Sequence, residues 1–183
     1  MSINHLFSKV DFGNFADEKR RLVGSRIEKL MERNFNGRKL DELTDEFYNE
    51  FALKLPSLEV ENIYQRRPVD IKIEIDSEYS GRPYQSVDGT RFEIILPYSG
   101  SEEMFSVRPS LYNSDPPYGD LANDGIHFIY EVQVFHDHKT VRTSFDQNLA
   151  NIRFWMESLS RDVNAFNNHL HKDIHSALQY RVG

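Results

Sequence analysis

The chain contains no cysteine, has no excess of basic residues and has no long apolar run, and each absence excludes a class of protein. Without cysteine there are no disulfides, zinc–thiolate sites or thiol nucleophiles. A formal net charge of −7 removes the positive field that gathers nucleic acid. No segment approaches the ~20 apolar residues of a membrane span, and the first residues do not resemble a secretory signal. These absences favour a cytoplasmic protein with no membrane partner and disfavour nucleic acid.

The motifs that mark common catalytic and cofactor sites are also missing. The chain has no HExxH zinc motif, no glycine-rich phosphate loop with its lysine, and no Gly-x-Ser-x-Gly nucleophile elbow. No cofactor is therefore expected, and a non-catalytic function is the leading interpretation.

The chain contains enough apolar residues to form a core. The spacing at which these residues recur changes along the sequence. Residues 1–56 are predicted as a helical lead-in of two helices, the second ended by Pro56. The apolar residues that set this helical spacing are Val23, Ile27, Leu30 and Met31, then Leu40, Leu43, Phe47, Phe51 and Leu55.

Residues 57–140 change to a period of two and are predicted as a β module. From Val69 to Ile75 every second residue is apolar and those between are charged, which is typical of a strand with one buried face. Further strands are predicted at Phe92–Leu96, Phe105–Val107 and Ile126–Val134. Because no helical pattern separates these strands, the sheet is predicted to be largely antiparallel.

Residues 141–183 carry an apolar seam at heptad spacing, which predicts one long amphipathic helix or a helical hairpin turning near Asn167–Asn168. Such a seam packs either within its own chain or against another copy or a partner protein, and both alternatives remain open. The seam consists of Phe145, Leu149, Ile152, Met156, Leu159, Val163, Phe166 and Leu170. The fold class expected for the whole chain is α+β, as one structural unit with N-terminal helices, a central mainly antiparallel sheet and this C-terminal helix or hairpin.

Two sets of residues are candidates for a binding site. The segment from Pro109 to Gly125 is a long, aromatic-rich connection, and Arg108, Tyr112 and Tyr118 are predicted to form a ligand-binding face there. The alternative is that the tyrosines close one end of the core. His171 and His175 lie one helical turn apart, a spacing that can place two imidazoles on one metal ion, but no third ligand is evident.

One enzyme hypothesis competes with the binding hypothesis. Asp70 on one predicted strand and Glu131 on another, with His136 nearby, resemble the acids of a metal-dependent nuclease or hydrolase. Gln133 stands where such enzymes carry a lysine, and a neutral amide supplies no positive charge.

The order of segments also resembles a known kind of protein. The carrying sequences are Pro68-Val-Asp-Ile, Phe92-Glu-Ile-Ile-Leu-Pro-Tyr-Ser-Gly, Met104-Phe-Ser-Val-Arg-Pro-Ser, Leu149-Ala-Asn-Ile-Arg-Phe-Trp and Asp162-Val-Asn-Ala-Phe-Asn. From about residue 60 onward the chain is similar to the N-terminal region of bacterial proteins, some linked to antiviral defence, in which a TIR or nuclease effector domain follows. The resemblance implies a sensor or adaptor role with an effector domain as partner, and it identifies no catalytic residue.

Overall fold

A computed structural model of the chain describes residues 4–31, 35, 37–75, 85–133 and 138–182. The predicted fold class is confirmed: helices precede a mainly antiparallel sheet, and a long helix follows it. None of the helices within these ranges combines the length and the apolar character that a membrane span needs.

Nine strands and three helices follow one another along the described parts of the chain. In order they are β1 (Val10–Asp11), α1 (Phe12–Glu28), α2 (Leu40–Phe51), β2 (Ser57–Leu58), β3 (Tyr64–Gln65), β4 (Val69–Ile75), β5 (Gln85–Leu96), β6 (Tyr98–Ser99), β7 (Val107–Arg108), β8 (Asp120–Ala122), β9 (Gly125–Gln133) and α3 (His138–Val182). Short 3₁₀ turns cover Val60–Asn62 and Glu102–Ser106.

Contacts between residues divide the chain into two compact units, each built from three separate segments. The first contains Met1–Leu6, Pro56–Glu102 and Asp115–Arg153, and the second contains Phe7–Leu55, Glu103–Ser114 and Phe154–Gly183. The predicted segments 1–56, 57–140 and 141–183 follow the order of the elements along the chain, whereas the units combine distant parts of it.

The first unit contains the main sheet, in the order β3-β5-β9-β8, with β4 also paired to β5. Residues paired directly across neighbouring strands point to the same face, and successive residues point to opposite faces. One face, called the core face below, carries Phe92, Ile94 and Phe128, and the ring of Phe128 meets that of Phe145 on α3 at 5.3 Å. The opposite face carries Glu93, His127 and Ile129 and is called the outer face.

A β-bulge separates β3 from β4 along the same edge of β5. Gln65 pairs with Ile94 and Val69 pairs with Arg91, so three residues, 66–68, lie opposite two. Proline removes a backbone donor and is tolerated at such an irregularity, which accounts for Pro68 here. The extra residue changes the parity of the strand, so the apolar residues of β4 point to the outer face.

The second unit packs α1, α2 and the later turns of α3 around a separate core. Its aromatic centre is Trp155, which is 2% exposed and stacks on Phe7 at 6.0 Å. The ring of Phe12 meets that of Phe166 at 6.5 Å. Buried polar bonding supports the packing, because the Trp155 indole N–H donates to Asn113 Oδ1 at 3.1 Å.

The predicted C-terminal seam is present on one uninterrupted helix, so the hairpin alternative does not occur. Seven of the eight seam residues are at most 8% exposed in the single chain, and Met156 is half-buried. A side chain already removed from water has no area left to bury against a second copy. The seam therefore serves this chain's own core, and the expectation that it is an association surface is not supported.

One predicted strand has a different structure. Phe105 lies in the 3₁₀ turn Glu102–Ser106, and Val107 belongs to a two-residue strand that pairs in parallel with Val10–Asp11. This segment lies outside the main antiparallel sheet, and both side chains are buried. An apolar alternation of only two residues occurs in turns as well as strands, and here it reflects burial.

Candidate functional site

The two acids of the enzyme hypothesis lie on opposite faces of the sheet. Asp70 pairs with Thr90, which pairs with Val132, so Asp70 points to the core face. Glu131 pairs with Arg91 and points to the outer face. Two side chains separated by the sheet cannot hold one metal ion, so the pair does not form the predicted site.

The surroundings of these acids also differ from those of a metal site. Glu131 accepts two hydrogen bonds from the Arg91 guanidinium, at 2.6 and 2.8 Å. His136, the third residue of the hypothesis, lies outside the described residues. Within the described ranges no group of three histidine or acidic side chains is arranged to hold a metal.

The histidine pair on α3 binds acids of α2. His171 Nε2 lies 3.1 Å from Asp45, and His175 Nε2 lies 3.6 Å from Asp41. Each imidazole thus faces a different carboxylate. The spacing of one helical turn predicted from the sequence is real, and its partners in the structure are two separate ion pairs.

The predicted ligand face is only partly assembled. The Arg108 guanidinium lies 5.2 Å from the centre of the Tyr112 ring, and its Nε donates to Asp11 at 2.6 Å. That hydrogen bond lowers the pKa of Asp11 and raises the pKa of Arg108. Because the Arg108 guanidinium covers the ring and its side chain is only 37% exposed, these two residues offer little to a ligand.

Tyr118, the third residue of that face, belongs to the other unit. Its hydroxyl bonds to that of Tyr130 at 3.1 Å, and its ring meets Phe128 edge-on. Burial raises the pKa of Tyr130, so the Tyr130 hydroxyl stays protonated. The alternative that this tyrosine closes the core describes its surroundings better than a ligand contact does.

The described part of the first unit has a cavity of about 200 Å³ between the bulged edge of the sheet and α3. Most of its lining residues are apolar or aromatic, with one amide and one guanidinium, and about half of the surface that they expose to the cavity is polar. The lining residues are Ile63, Tyr64, Gln65, Phe92, Ile94, Val141, Arg142 and Phe145. Because a dry cavity of about 150 Å³ accommodates benzene, this volume fits one ring or a branched side chain.

The charged group of the cavity is Arg142. Its Nε donates to both oxygens of Asp146 on the next turn of α3, at 3.1 and 3.0 Å. The arginine side chain is 77% exposed, so it can turn toward an anion at the entrance without a large loss of burial. The amide of Gln65 is the second polar group on the wall.

Beside the cavity, on the outer face, four side chains form a closed network that we call the ion-pair ring: Arg66, Glu93, Asp124 and His127. The two ring nitrogens of His127 lie 2.7 Å from Glu93 and 2.6 Å from Asp124. Arg66 closes the network with contacts of 3.1 Å to Glu93 and 3.0 Å to Asp124. Carboxylates only accept, so both contacts of His127 are satisfied together in the imidazolium form.

Tyr64 connects the ion-pair ring to the cavity. Tyr64 is one of the residues that line the cavity, and its side chain lies on the outer face, where its hydroxyl donates to Asp124 at 3.1 Å. Desolvation and this hydrogen bond raise the pKa of Tyr64. The strand bulge places Arg66 here, and the two-residue turn before Gly125 places Asp124 three residues before His127.

We expect the ion-pair ring to stabilise the protein in a pH-dependent manner through Asp124. The hydrogen bond from His127 lowers the pKa of Asp124 to about 2 from an ordinary value of 3.8. A carboxyl whose pKa is lowered by folding contributes stability above its unfolded pKa and loses that contribution as the pH falls through its folded pKa. The free energy of unfolding of the wild type should therefore exceed that of Asp124→Asn above pH ~5, and the difference should shrink between pH ~4 and ~2.

Urea unfolding at a series of pH values measures this difference. The matched control is the same substitution in a His127→Gln background, where the main cause of the shift is gone and Asp124→Asn should have little effect at any pH. A wild-type advantage that stays constant from pH 6 to pH 2 would contradict the expectation.

The sequence offered little signal for the cavity or the ion-pair ring. Their residues are spread from position 63 to position 145, and only the strand register brings them together. Pro68, which follows two arginines, is the one local feature of the sequence that indicates the bulge, because proline in a strand is tolerated mainly at bulges and edges. Comparison of the chain with protein-family models, with curated proteins and with solved structures finds no match.

Proposed function

We propose that this chain is a non-catalytic recognition module that binds a small carboxylic acid with a flat or branched apolar body. The observation that supports the proposal is the cavity: aromatic and branched walls close around a space the size of one ring, and a single guanidinium lies at its entrance. Ligand sites are commonly apolar with a few polar groups that fix orientation.

The chemistry of the walls defines the ligand class. Phe92, Ile94 and Phe145 offer only dispersion and apolar contact, which suits a phenyl ring or a branched alkyl group. Arg142 offers a fork of donors that matches a carboxylate. A ligand carboxylate would take the place of Asp146 at the guanidinium, so the arginine would exchange one anion for another.

The resemblance to modules that precede effector domains suggests how such binding would be used. In this proposal the chain is the sensor or adaptor part of a bacterial defence protein, and occupation of the cavity is the signal passed to an effector. The rival proposal, a metal-dependent nuclease or hydrolase, has no observation in its favour, since Asp70 and Glu131 are separated by the sheet.

Titration with benzoate, phenylacetate and 3-phenylpropionate, followed by ¹H–¹⁵N correlation spectra, tests the proposal. At least one acid should shift the amide signals of β3, the middle of β5 and the first turns of α3, while the neutral analogue 2-phenylethanol binds about tenfold more weakly. Arg142→Gln should weaken the acid about tenfold and leave the neutral compound unchanged.

The control variant is Arg153→Gln, which removes an equal charge at an exposed position three turns further along α3. It should bind every compound as the wild type does. If no acid moves the signals of the cavity residues at millimolar concentration, or if both arginine variants behave alike, the proposed recognition site is wrong.

A further inference from the structure

The outer edge of β4 is open among the described residues. β4 pairs with β5 on one side, and no described strand pairs with it on the other. Exposed edges normally carry a protective feature such as a proline, a bulge or an unpaired charge. Here Pro68 and the bulge lie just before β4, and within Val69–Ile75 the charged residues Asp70, Lys72 and Glu74 alternate with apolar ones.

The backbone groups that face this edge can be identified from the register. Arg66 N–H donates to the Glu93 carbonyl at 3.0 Å, so Glu93 turns its backbone groups toward this side of β5. The direction of the backbone N–H and C=O groups alternates from residue to residue along a strand. Arg91 and Gly89 therefore also turn these groups toward β4, where they bond with Val69 and Ile71. The N–H and C=O groups of Asp70, Lys72 and Glu74 therefore point to the open edge.

Apolar side chains accompany this edge on the outer face. Val69 is 56% exposed, Ile71 and Ile73 are half-buried, and Ile129 on β9 is 36% exposed. Ile73 lies over Gly89, where any side chain would collide with it and with the Val132 carbonyl at 2.9 Å. The strand thus presents a row of apolar groups beside backbone donors and acceptors with which no described strand pairs.

We propose that β4 pairs antiparallel with β4 of a second copy of this chain, with the two-fold axis at Ile71. In this register Asp70 and Lys72 of one copy lie opposite Lys72 and Asp70 of the other, and their outward backbone groups exchange hydrogen bonds. Ile71 meets Ile71, and Val69 meets Ile73 in two symmetric places. This arrangement sets opposite charges, apolar side chains and outward backbone groups against one another, and Lys72 also contacts Asp88 of its own chain.

Two kinds of neighbouring register, with the axis at Lys72 or between two residues, are less favourable. An axis at Lys72 sets Lys72 against Lys72 and Asp70 against Glu74, which places like charges opposite each other. An axis between two residues would set an outward-facing residue against an inward-facing one and break the backbone bonding. The alternation of acid, lysine and acid along Asp70, Lys72 and Glu74 therefore selects a copy of the same strand as the partner. This inference does not depend on the ligand proposed for the cavity.

Disulfide crosslinking tests the register, because the chain contains no cysteine of its own. Residues facing each other in a non-hydrogen-bonded pair have Cα atoms about 4.5 Å apart, within the range that a disulfide spans. Ile71→Cys should form covalent dimers at least tenfold faster than Ile73→Cys and Lys72→Cys under the same mild oxidation. Equal rates, or faster crosslinking of either neighbour, overturn the proposal.

Charge-reversal variants, whose dimerisation is measured by sedimentation velocity, test whether the partner is a second copy of β4. Lys72→Glu sets acids opposite Asp70, and Asp70→Lys sets lysines opposite Lys72, so each variant alone should dimerise at least tenfold more weakly than the wild type. An equimolar mixture of the two restores opposite charges and should recover dimerisation to within threefold. Glu74→Lys, which lies opposite Pro68 in this register, is the control and should change little.

Circular dichroism of each variant confirms that it is folded before the comparison. A wild type that remains monomeric at 500 µM, or a mixture no better than its components, overturns the proposal.

Discussion

Replacing Leu159 with aspartate should unfold the chain, whereas an association surface at this position would give a folded monomer. Leu159 is 0% exposed within the second unit. Truncating such a leucine to alanine costs about 2–5 kcal/mol, and an ionised carboxylate without a partner adds several more. Because most domains are stable by only about 5–15 kcal/mol, the sum removes most or all of the folding free energy.

The measurement is thermal and urea unfolding followed by circular dichroism and by the fluorescence of Trp155, the only tryptophan. Trp155 lies in the same core and should become solvated in the variant. Ala165→Asp is the matched control, since it places the same charge at an exposed position of α3 and should cost less than about 1 kcal/mol. A folded Leu159→Asp protein with an unchanged melting temperature and a lower molecular mass would show that the seam joins copies.

The periodic parts of the sequence predicted the fold where one period extended over several residues. The alternation at Phe92, Ile94 and Leu96 and the heptad seam of α3 both mark side chains that are buried in the structure. A period identifies which side of an element is apolar, but it does not identify what covers that side. For the seam the cover is the chain itself, and for β4 Val69 remains 56% exposed.

The candidate site was harder to predict because its residues become neighbours only through register. Arg66 and His127 are ordinary polar residues in the sequence, and a bulge three residues long brings the arginine onto the outer face beside Glu93. One extra residue in a strand reverses which side chains share a face. The same sensitivity separated Asp70 from Glu131, which a sequence alone allows to meet.

Polar residues of α3 were the other source of error. Asn148 and Asn167 lie beside the apolar seam in the sequence, at positions where heptad spacing predicts solvated polar residues. In the structure each side-chain amide bonds both backbone groups of one loop residue: Asn148 bonds Tyr118, and Asn167 bonds Leu53. These partners are 30 and 114 residues away, so no local pattern indicates them. We call this arrangement an amide clamp.

Replacing Asn148 with aspartate should destabilise the protein by about 2–4 kcal/mol, because a buried carboxylate loses one bond of the amide clamp and repels the other group. The Asn148 amide donates to the Tyr118 carbonyl at 2.8 Å and accepts from its N–H at 3.2 Å, and the residue is 6% exposed. Aspartate keeps the acceptor and sets a negative charge against the carbonyl. Asn148→Leu should cost a similar amount, since it removes the hydrogen-bond partner of both part-buried backbone groups of Tyr118.

Two measurements separate the clamp from a general effect on the helix. Urea unfolding gives the change in free energy, and Asn164→Asp, an exposed asparagine on the same helix, should stay within about 0.5 kcal/mol of wild type. Amide hydrogen exchange reports the bond itself: the Tyr118 N–H should exchange at least tenfold faster in Asn148→Leu under conditions where the β5 amides remain protected. If Asn148→Asp and Asn164→Asp lose equal stability, or if the exchange rate of the Tyr118 N–H is unchanged in Asn148→Leu, then the amide of Asn148 does not hold this loop. Helix propensity or surface charge would then explain the loss of stability.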